Sequence, residues 1–290
     1  MWEKKIDYIK VDKNKMINRS SVIQANINVH SKLAKHYNHN EPHFRSENIS
    51  KVKSNLEEII KEYSEVNLLD VGCGTGFIIN IVKGMCDKVY GIDATQEMLN
   101  QVEKSENVAL INGIAEELPF EDGKFDVVTA YSFIHHLYSY EDALKEMYRV
   151  LKPNGTLYID LEPNKLFWDE IKTVPDKEFD KLHDVVKREV NSIYYTGDKL
   201  QADFEINPKE FDQAEYYKNI KGGINPYILE EQLKALGFKQ VSVSFEWFIG
   251  EGYYLHNTSD NEYRNVSSFL EIIQPLSHKM YKYFKVIAKK

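Results

Sequence analysis

The chain has 290 residues, 42% of them hydrophobic, with a formal net charge of −8 and two cysteines. That length suits one α/β domain with insertions, or a domain and a cap, and no apolar run approaches the roughly 20 residues of a membrane span. The acidic balance argues against a nucleic-acid partner, because that affinity comes largely from clustered Lys and Arg.

Cys73 and Cys86 make neither a disulfide framework nor a metal cluster. The N-terminus has no apolar stretch of the kind an export signal needs, so a cytoplasmic location without membrane attachment is expected. Residues 1–50 are polar and are expected to form a helical lid. Within them, the basic stretch 4–15 reads as a solvated tail, and SVIQANINVHSKLAKHYN reads as an amphipathic helix.

A core is expected over 51–162, its first strand preceded by the helix SENISKVKSNLEEIIKEY. Strand-like runs VNLLDV, KVYGID, NVALIN, FDVVTAY and GTLYIDL alternate with helical runs FIINIVKGM, TQEMLNQVEK and EDALKEMYRVL. Such alternation predicts a parallel sheet covered on both faces. The rhythm breaks over 163–225, where PDKEFDKLHDVVKREV places Phe179, Leu182, Val186 and Val190 at helical spacing and NPKEFDQAEYYKN follows. An insertion after the fifth strand lies near the strands' carboxyl ends, where open α/β sheets bind ligands; a cap over the site is expected. Residues 226–290 return to the core pattern with the helix PYILEEQLKALG, a sixth strand FKQVSVSFEW and a seventh near 281–288. Gly237 fits a helix-terminating position.

The loop between the first strand and its helix reads Asp70-Val-Gly72-Cys73-Gly74-Thr75-Gly76-Phe77. A dinucleotide loop needs a third glycine for close helix–strand packing, and a bulky Phe77 stands there instead. A P-loop would need Gly-Lys-Ser/Thr, which is absent. The stretch resembles the first motif of class I S-adenosylmethionine-dependent methyltransferases. Four further segments keep that family's spacing over about 68–160: KVYGID, NGIAEELPFEDGKFDVV, AYSFIHHL and RVLKPNGTLYI. The small-molecule branch, including the ubiquinone/menaquinone-biosynthesis methyltransferases, is the most similar.

The resemblance implies S-adenosyl-L-methionine as cofactor. It also implies a Rossmann-like seven-stranded sheet in the order 3-2-1-4-5-7-6, with the last strand antiparallel and helices on both faces. It assigns Asp70 to the cofactor's ammonium group, the backbone of Gly72, Cys73, Gly74, Thr75 and Gly76 to its aminoacyl end, and Asp93 to both ribose hydroxyls. Ala94 and Met98 become adenine walls, Ala115 and Glu116 its edge, and the Ala130–Tyr131 backbone faces the methionine moiety. Members commonly carry Asp where this chain has Ile114, which removes one hydrogen bond worth about 0.5–1.5 kcal/mol. From the N-terminal segment, Tyr37 is expected near the transferred methyl, contacting cofactor and acceptor, and Arg45 near the cofactor carboxylate.

Methyl transfer from an activated sulfonium needs positioning and water exclusion, and a base only where the acceptor must lose a proton. His136, and less directly His135, follow the fourth strand and are the candidate catalytic residues. His36, His39 and His43 fit no compact ligand pattern, so no metal is expected. Cys73 reads as a packed thiol. Asp160 and Glu162 are expected at the rim of the site. The cap is rich in rings, and Phe167, Trp168, Tyr194 and Tyr195 are expected, with Tyr37, to contact a partly aromatic or apolar small-molecule acceptor. The rival readings are an RNA or protein methyltransferase and a non-catalytic cofactor-binding protein; the sequence leaves the oligomeric state open.

Overall fold

The strands β1 (Asn67–Val71), β2 (Lys88–Asp93), β3 (Val108–Asn112), β4 (Phe125–Tyr131), β5 (Leu151–Pro163), β6 (Gln240–Phe248) and β7 (Tyr281–Lys289) form one sheet in the order β3-β2-β1-β4-β5-β7-β6. The computed structural model describes residues 17–174, 176–179, 181–194 and 201–290; the stretch 4–15 and Tyr195 lie outside the described residues. The first five strands pair in parallel, and β7 runs antiparallel between β5 and β6. This is the expected Rossmann-like α/β sheet.

Side chains of a strand point alternately to its two faces, and β1 shows what that achieves. Leu69 and Val71 join one apolar cluster with Leu144 and Met147 of α4 (Glu141–Val150) and Leu229 and Leu233 of α8 (Pro226–Leu236). Leu68 joins the opposite cluster, with Val52, Leu56 and Ile59 of α2 (Ser46–Ile60) and Ile78, Ile79 and Val82 of α3 (Phe77–Val82). All these leucines are buried, and truncating one to Ala removes about 2–5 kcal/mol. The sheet is thus covered on both faces, and the loops at the carboxyl ends of β1, β2 and β4 meet above it.

The N-terminal helix is α1 (Arg19–Leu33); the expected continuation to Asn38 breaks, and a separate turn occupies Tyr37–Asn40. Asn18 caps α1, accepting from the Ser21 N–H. The insertion holds α5 (Lys165–Ile171), α6 (Asp184–Tyr194) and α7 (Pro208–Ala214), followed by a wide π-type turn at Tyr216–Ile220. The single helix expected over 175–190 is divided: a turn at Asp176–Phe179 precedes α6. Gly237 ends α8 at φ +112°, as its sequence position indicates.

Between β6 and β7 lie α9 (Glu251–Asn257) and α10 (Asp260–Ile272), to which the sequence reading gave no structure. A signal was present: Ser259 and Glu262 form a reciprocal capping box.

Candidate active site

The glycine loop is tied to the end of β2. The N–H groups of Gly72 and Cys73 donate to the Ile92 carbonyl at 2.8 and 3.1 Å. Gly74 N–H donates to Asp93 Oδ2 at 2.9 Å and Thr95 N–H to Oδ1 at 2.8 Å. Two main-chain donors therefore fix the Asp93 carboxylate, and each oxygen keeps acceptor capacity. The Phe77 ring, where a dinucleotide loop has glycine, builds a wall: its centroid is 4.6 Å from Tyr131 and 5.2 Å from both His43 and Phe44. The Tyr131 hydroxyl accepts from Asn48 Nδ2 at 2.8 Å, which locks that ring.

A cleft with about 990 Å³ of atom-free space, part of it open to solvent, lies over this loop. Of the residues assigned to the cofactor by resemblance, Tyr37, Asp70, Gly72, Cys73, Gly74, Thr75, Asp93, Ala94, Met98, Ala115, Glu116 and Tyr131 line it, as does Ile114. Three do not: Gly76 opens α3, Ala130 is buried within β4, and Arg45 is exposed at the start of α2. The expectation that Arg45 faces the cofactor carboxylate is corrected accordingly, since its side chain is on the surface.

The expected helical lid is not resolved in the sequence to the residues that face the cleft. Val22, Ile23, Asn26 and His30 of α1 line the cleft. Polar contacts hold α1 and the turn after it in place: Arg19 Nε to Glu116 Oε1 at 3.3 Å, Asn26 Nδ2 to the His136 carbonyl at 2.9 Å, Ser31 Oγ to Glu97 at 2.8 Å and Thr75 Oγ1 to Asn38 Oδ1 at 2.5 Å. On its other side α1 packs Ala25, Val29 and Leu33 against Ile206, Phe211 and Ala214 of the insertion.

Burial raises the Asp70 carboxyl to about 7; the Thr129 hydroxyl donates to it at 2.7 Å and partly offsets this, while Asp93 adds repulsion. His43 lies among rings, and burial lowers it to about 4, so it is a neutral wall residue. Cys73 is buried and its thiol is pushed well up, chiefly by burial, as a packed thiol should be.

His136 borders the cleft; His135, immediately before it, does not. His135 Nδ1 donates to Glu162 Oε2 at 2.9 Å. Glu162 also accepts the N–H groups of Phe133, Ile134 and His135, so it is a fully buried clamp on the turn after β4. The expectation of a rim position for Glu162 and Asp160 is thereby overturned. Asp160 is buried too, accepting from the Tyr158 hydroxyl and the Leu161 N–H. The physical reason is a bulge in β5, where the pairing to β7 slips between Ile159 and Glu162 and Leu161 takes φ +58°. The two acids then serve different neighbourhoods, and neither faces solvent.

Phe167 and Trp168 are buried in α5 against each other and do not line the cleft; their expected contact with an acceptor is corrected to core packing. Tyr194 ends α6. His36, His39 and His43 do not converge as donors among the described residues, whereas His135, His136 and Glu215 bring donor atoms within 4.8 Å of one another. The His136 nitrogen nearest Glu215 is Nδ1, and it already donates to the Ala214 carbonyl at 2.7 Å. Lys218 Nζ stands 2.9 Å from Glu215 and supplies the positive charge there.

Residues 69–159 match the family described as a methyltransferase domain. The demethylmenaquinone methyltransferases of Staphylococcus aureus strains MRSA252 and JH9 are each 45% identical over 94 residues, which are 30% of this chain and 39% of each relative. The chain thus spans well under half the length of the curated relatives it matches. A SAM dependent methyltransferase from Archaeoglobus fulgidus superposes with a TM-score of 0.50 at 21% identity, covering 83% of this chain and 94% of that one. That likeness concerns the fold.

Proposed function

We propose that this chain, whose residues 69–159 match a methyltransferase domain, moves a methyl group from S-adenosylmethionine to a small organic acceptor by direct displacement. The observation that carries the reading is one cleft lined by two kinds of group: the carboxylates of Asp70 and Asp93 with the small or apolar Ala94, Met98 and Ala115, and the rings of Tyr37, His43, Phe44, Tyr131, His30 and His136.

In this reading Asp93 takes the ribose hydroxyls, Asp70 the ammonium, and Ala94, Met98 and Ala115 hold the adenine. Glu116, paired with Arg19 at the cleft edge, and the carbonyl and N–H groups beside Ile114 replace the missing Asp. When bound, the cofactor supplies a methyl group on a sulfonium. The ring faces of Tyr37, Phe77 and Tyr131 suit a cation that loses its charge as the reaction proceeds.

His136 keeps its Nδ1 proton on the Ala214 carbonyl, which leaves Nε2 unprotonated. Burial first, and then neighbouring His135, hold this imidazole well below its ordinary pKa, so it is neutral near pH 7. It would accept the acceptor's proton at Nε2 as the methyl group is transferred. The roof of α1 excludes water from that step.

A small, partly aromatic or apolar acceptor is favoured because α1 roofs the cleft and the insertion packs behind α1. The partial likeness to proteins named for demethylmenaquinone fits that class without fixing the compound. No described helix is long and apolar enough to cross a membrane, and we place the enzyme in the cytoplasm. The domain reading itself, with a lid over 1–50, core over 51–162, cap over 163–225 and returning core over 226–290, is part of the proposal.

The test is methyl transfer from labelled S-adenosylmethionine to a panel of phenols, quinols, amines and thiols, run beside tRNA and protein substrates. Label confined to RNA or protein would refute a small acceptor. Tight S-adenosylhomocysteine binding with no label on any acceptor would favour a non-catalytic binding protein.

A further inference from the structure

The inserted segment packs against the outer side of α1 and reaches behind His136. Ala214 ends α7, and its carbonyl accepts the His136 Nδ1–H at 2.7 Å. The next residue, Glu215, immediately precedes the π-type turn and is buried; its Oε1 lies 3.7 Å from His136 Nδ1 and its Oε2 3.7 Å from His135 Nε2. Lys218, within the same turn, stands 2.9 Å from Oε2. Irregular π-type turns are frequent at functional sites, and here the turn puts a carboxylate and an ammonium side by side behind the imidazole.

We propose that Glu215 is a positioning residue for His136: with the Nδ1 proton held by the Ala214 carbonyl, its carboxylate stabilises the imidazolium formed when Nε2 takes the acceptor's proton, while Lys218 sets how much of that carboxylate's charge His136 receives. This rests on the reading of His136 as the proton acceptor. The step balances: the acceptor's proton goes to Nε2, its electron pair forms the bond to the methyl carbon, and the sulfur keeps the pair of the broken bond.

The groups around His136 are few and can be named. His135 lies beside it on the same turn, with ring centroids 4.1 Å apart and the planes tilted by 38°, and His30 of α1 meets it edge-on at 5.0 Å. Glu162 of β5 acts through His135. Glu41 and Tyr283 act on Lys218 from the remaining sides. Of these, His135 and His30 oppose a charge on His136, and Glu215 favours it. Burial by itself would push the Glu215 carboxyl up, yet Lys218, His136 and His135 hold it well below the ordinary carboxylate range. Glu215 is therefore an anion at every working pH, behind a nitrogen that gains charge during the reaction. A neutral side chain there would give no such support.

The experiment is histidine NMR on the full chain with S-adenosylhomocysteine bound, comparing wild type, Glu215→Gln and Lys218→Met. Wild-type His136 is expected as the Nδ1–H tautomer. Glu215→Gln lowers its pKa, and Lys218→Met raises it by about 1 unit or more; opposite signs are the signature, since a merely structural pair would move neither. An Nε2–H tautomer in the wild type overturns the proposal without any variant. So does a folded, nucleoside-binding variant of either kind whose His136 titrates with the wild type. Failure of wild-type protein to bind S-adenosylhomocysteine would instead sink the cofactor reading, so the two failures are distinguishable.

Discussion

The ring of Phe133 lies directly over Gly72: a Cβ built on that glycine would come within 1.9 Å of Phe133 Cδ2. Gly72 also sits at φ +69°, which costs other residues about 1–2 kcal/mol. Phe133 cannot retreat freely, because its N–H is one of the donors clamped by Glu162. Gly72→Ala is therefore expected to lose about 2–4 kcal/mol of stability through strain and overpacking together. It should also abolish S-adenosylhomocysteine binding at micromolar concentrations. Thermal unfolding and calorimetry check both, and wild-type affinity in the variant would show that this loop does not shape the cleft.

On the proposed reading, Asp70 is expected to make cofactor affinity depend on pH. Its carboxyl, raised to about 7 mainly by burial, is largely protonated at pH 6 in the empty cleft. A cationic ammonium beside it favours the ionised form, so binding below pH 7 must release a proton. Affinity for S-adenosylhomocysteine is expected to rise as pH goes from 6 to 8. Calorimetry in buffers of different ionisation enthalpy should show close to one proton released at pH 6 and close to none at pH 8. Asp70→Asn should weaken binding about 10–100-fold at pH 8 and remove the proton release. A proton release that persists in the Asn variant would assign the linkage to another group.

The roof over the cleft is held by side-chain contacts of modest strength. Asn26 Nδ2 joins α1 to the His136 carbonyl, and Asn38 joins the following turn to Thr75 in the glycine loop. Each such bond is worth about 0.5–1.5 kcal/mol net. Removing both with Asn26→Ala and Asn38→Ala should speed release of S-adenosylhomocysteine about 10-fold or more in stopped-flow displacement, with little change in melting temperature. Bound nucleoside should protect residues 17–40 from protease in the wild type and protect them less in the double variant. Equal protection in both would mean that the roof does not open at these contacts.

These residues also mark how far the sequence could be read. The strands, the glycine loop and Asp93 were legible because a buried parallel strand and a tight turn impose local rules, and the bulky Phe77 correctly opposed a dinucleotide loop. The roof was harder. In SVIQANINVHSKL both Val22 and Val29 are apolar, but one faces the cleft and the other Phe211, and only the partner surfaces decide which. The apposition of His136 with Ala214 and Glu215 depends on how a distant insertion folds back, which no spacing records. Phe167 and Trp168 looked like acceptor contacts because rings line pockets, yet the same rings build cores. Asp160 and Glu162 were misplaced because β5 does not end before them: it runs on to Pro163 with a bulge that buries both acids.

That bulge leads to a stability prediction distinct from binding. Asp160 is buried, and its carboxyl rises to about 7, first through burial and then through Glu246, against which Lys285 and Lys51 act only in part. Glu246 is itself held by both lysines, at 2.9 Å from Lys51 and 3.0 Å from Lys285, so the proton of this pair resides on Asp160. A carboxyl whose folded pKa is raised gives its full stabilisation below its unfolded value near 4 and loses it as pH rises through the folded value. Between pH 5 and pH 8 the nucleoside-free chain should therefore lose stability, with Asp160 contributing about 1–4 kcal/mol. Asp160→Asn keeps an acceptor for the Leu161 N–H and a polar partner for Tyr158 without carrying a charge. It is expected to melt several degrees above the wild type at pH 8 and at about the same temperature at pH 5. Buried carboxylates elsewhere, Asp70 included, are untouched by the substitution and cancel in the comparison. Equal stabilisation at both pH values would point to packing, and destabilisation at pH 8 would show that Asp160 is ionised and held by the lysines instead.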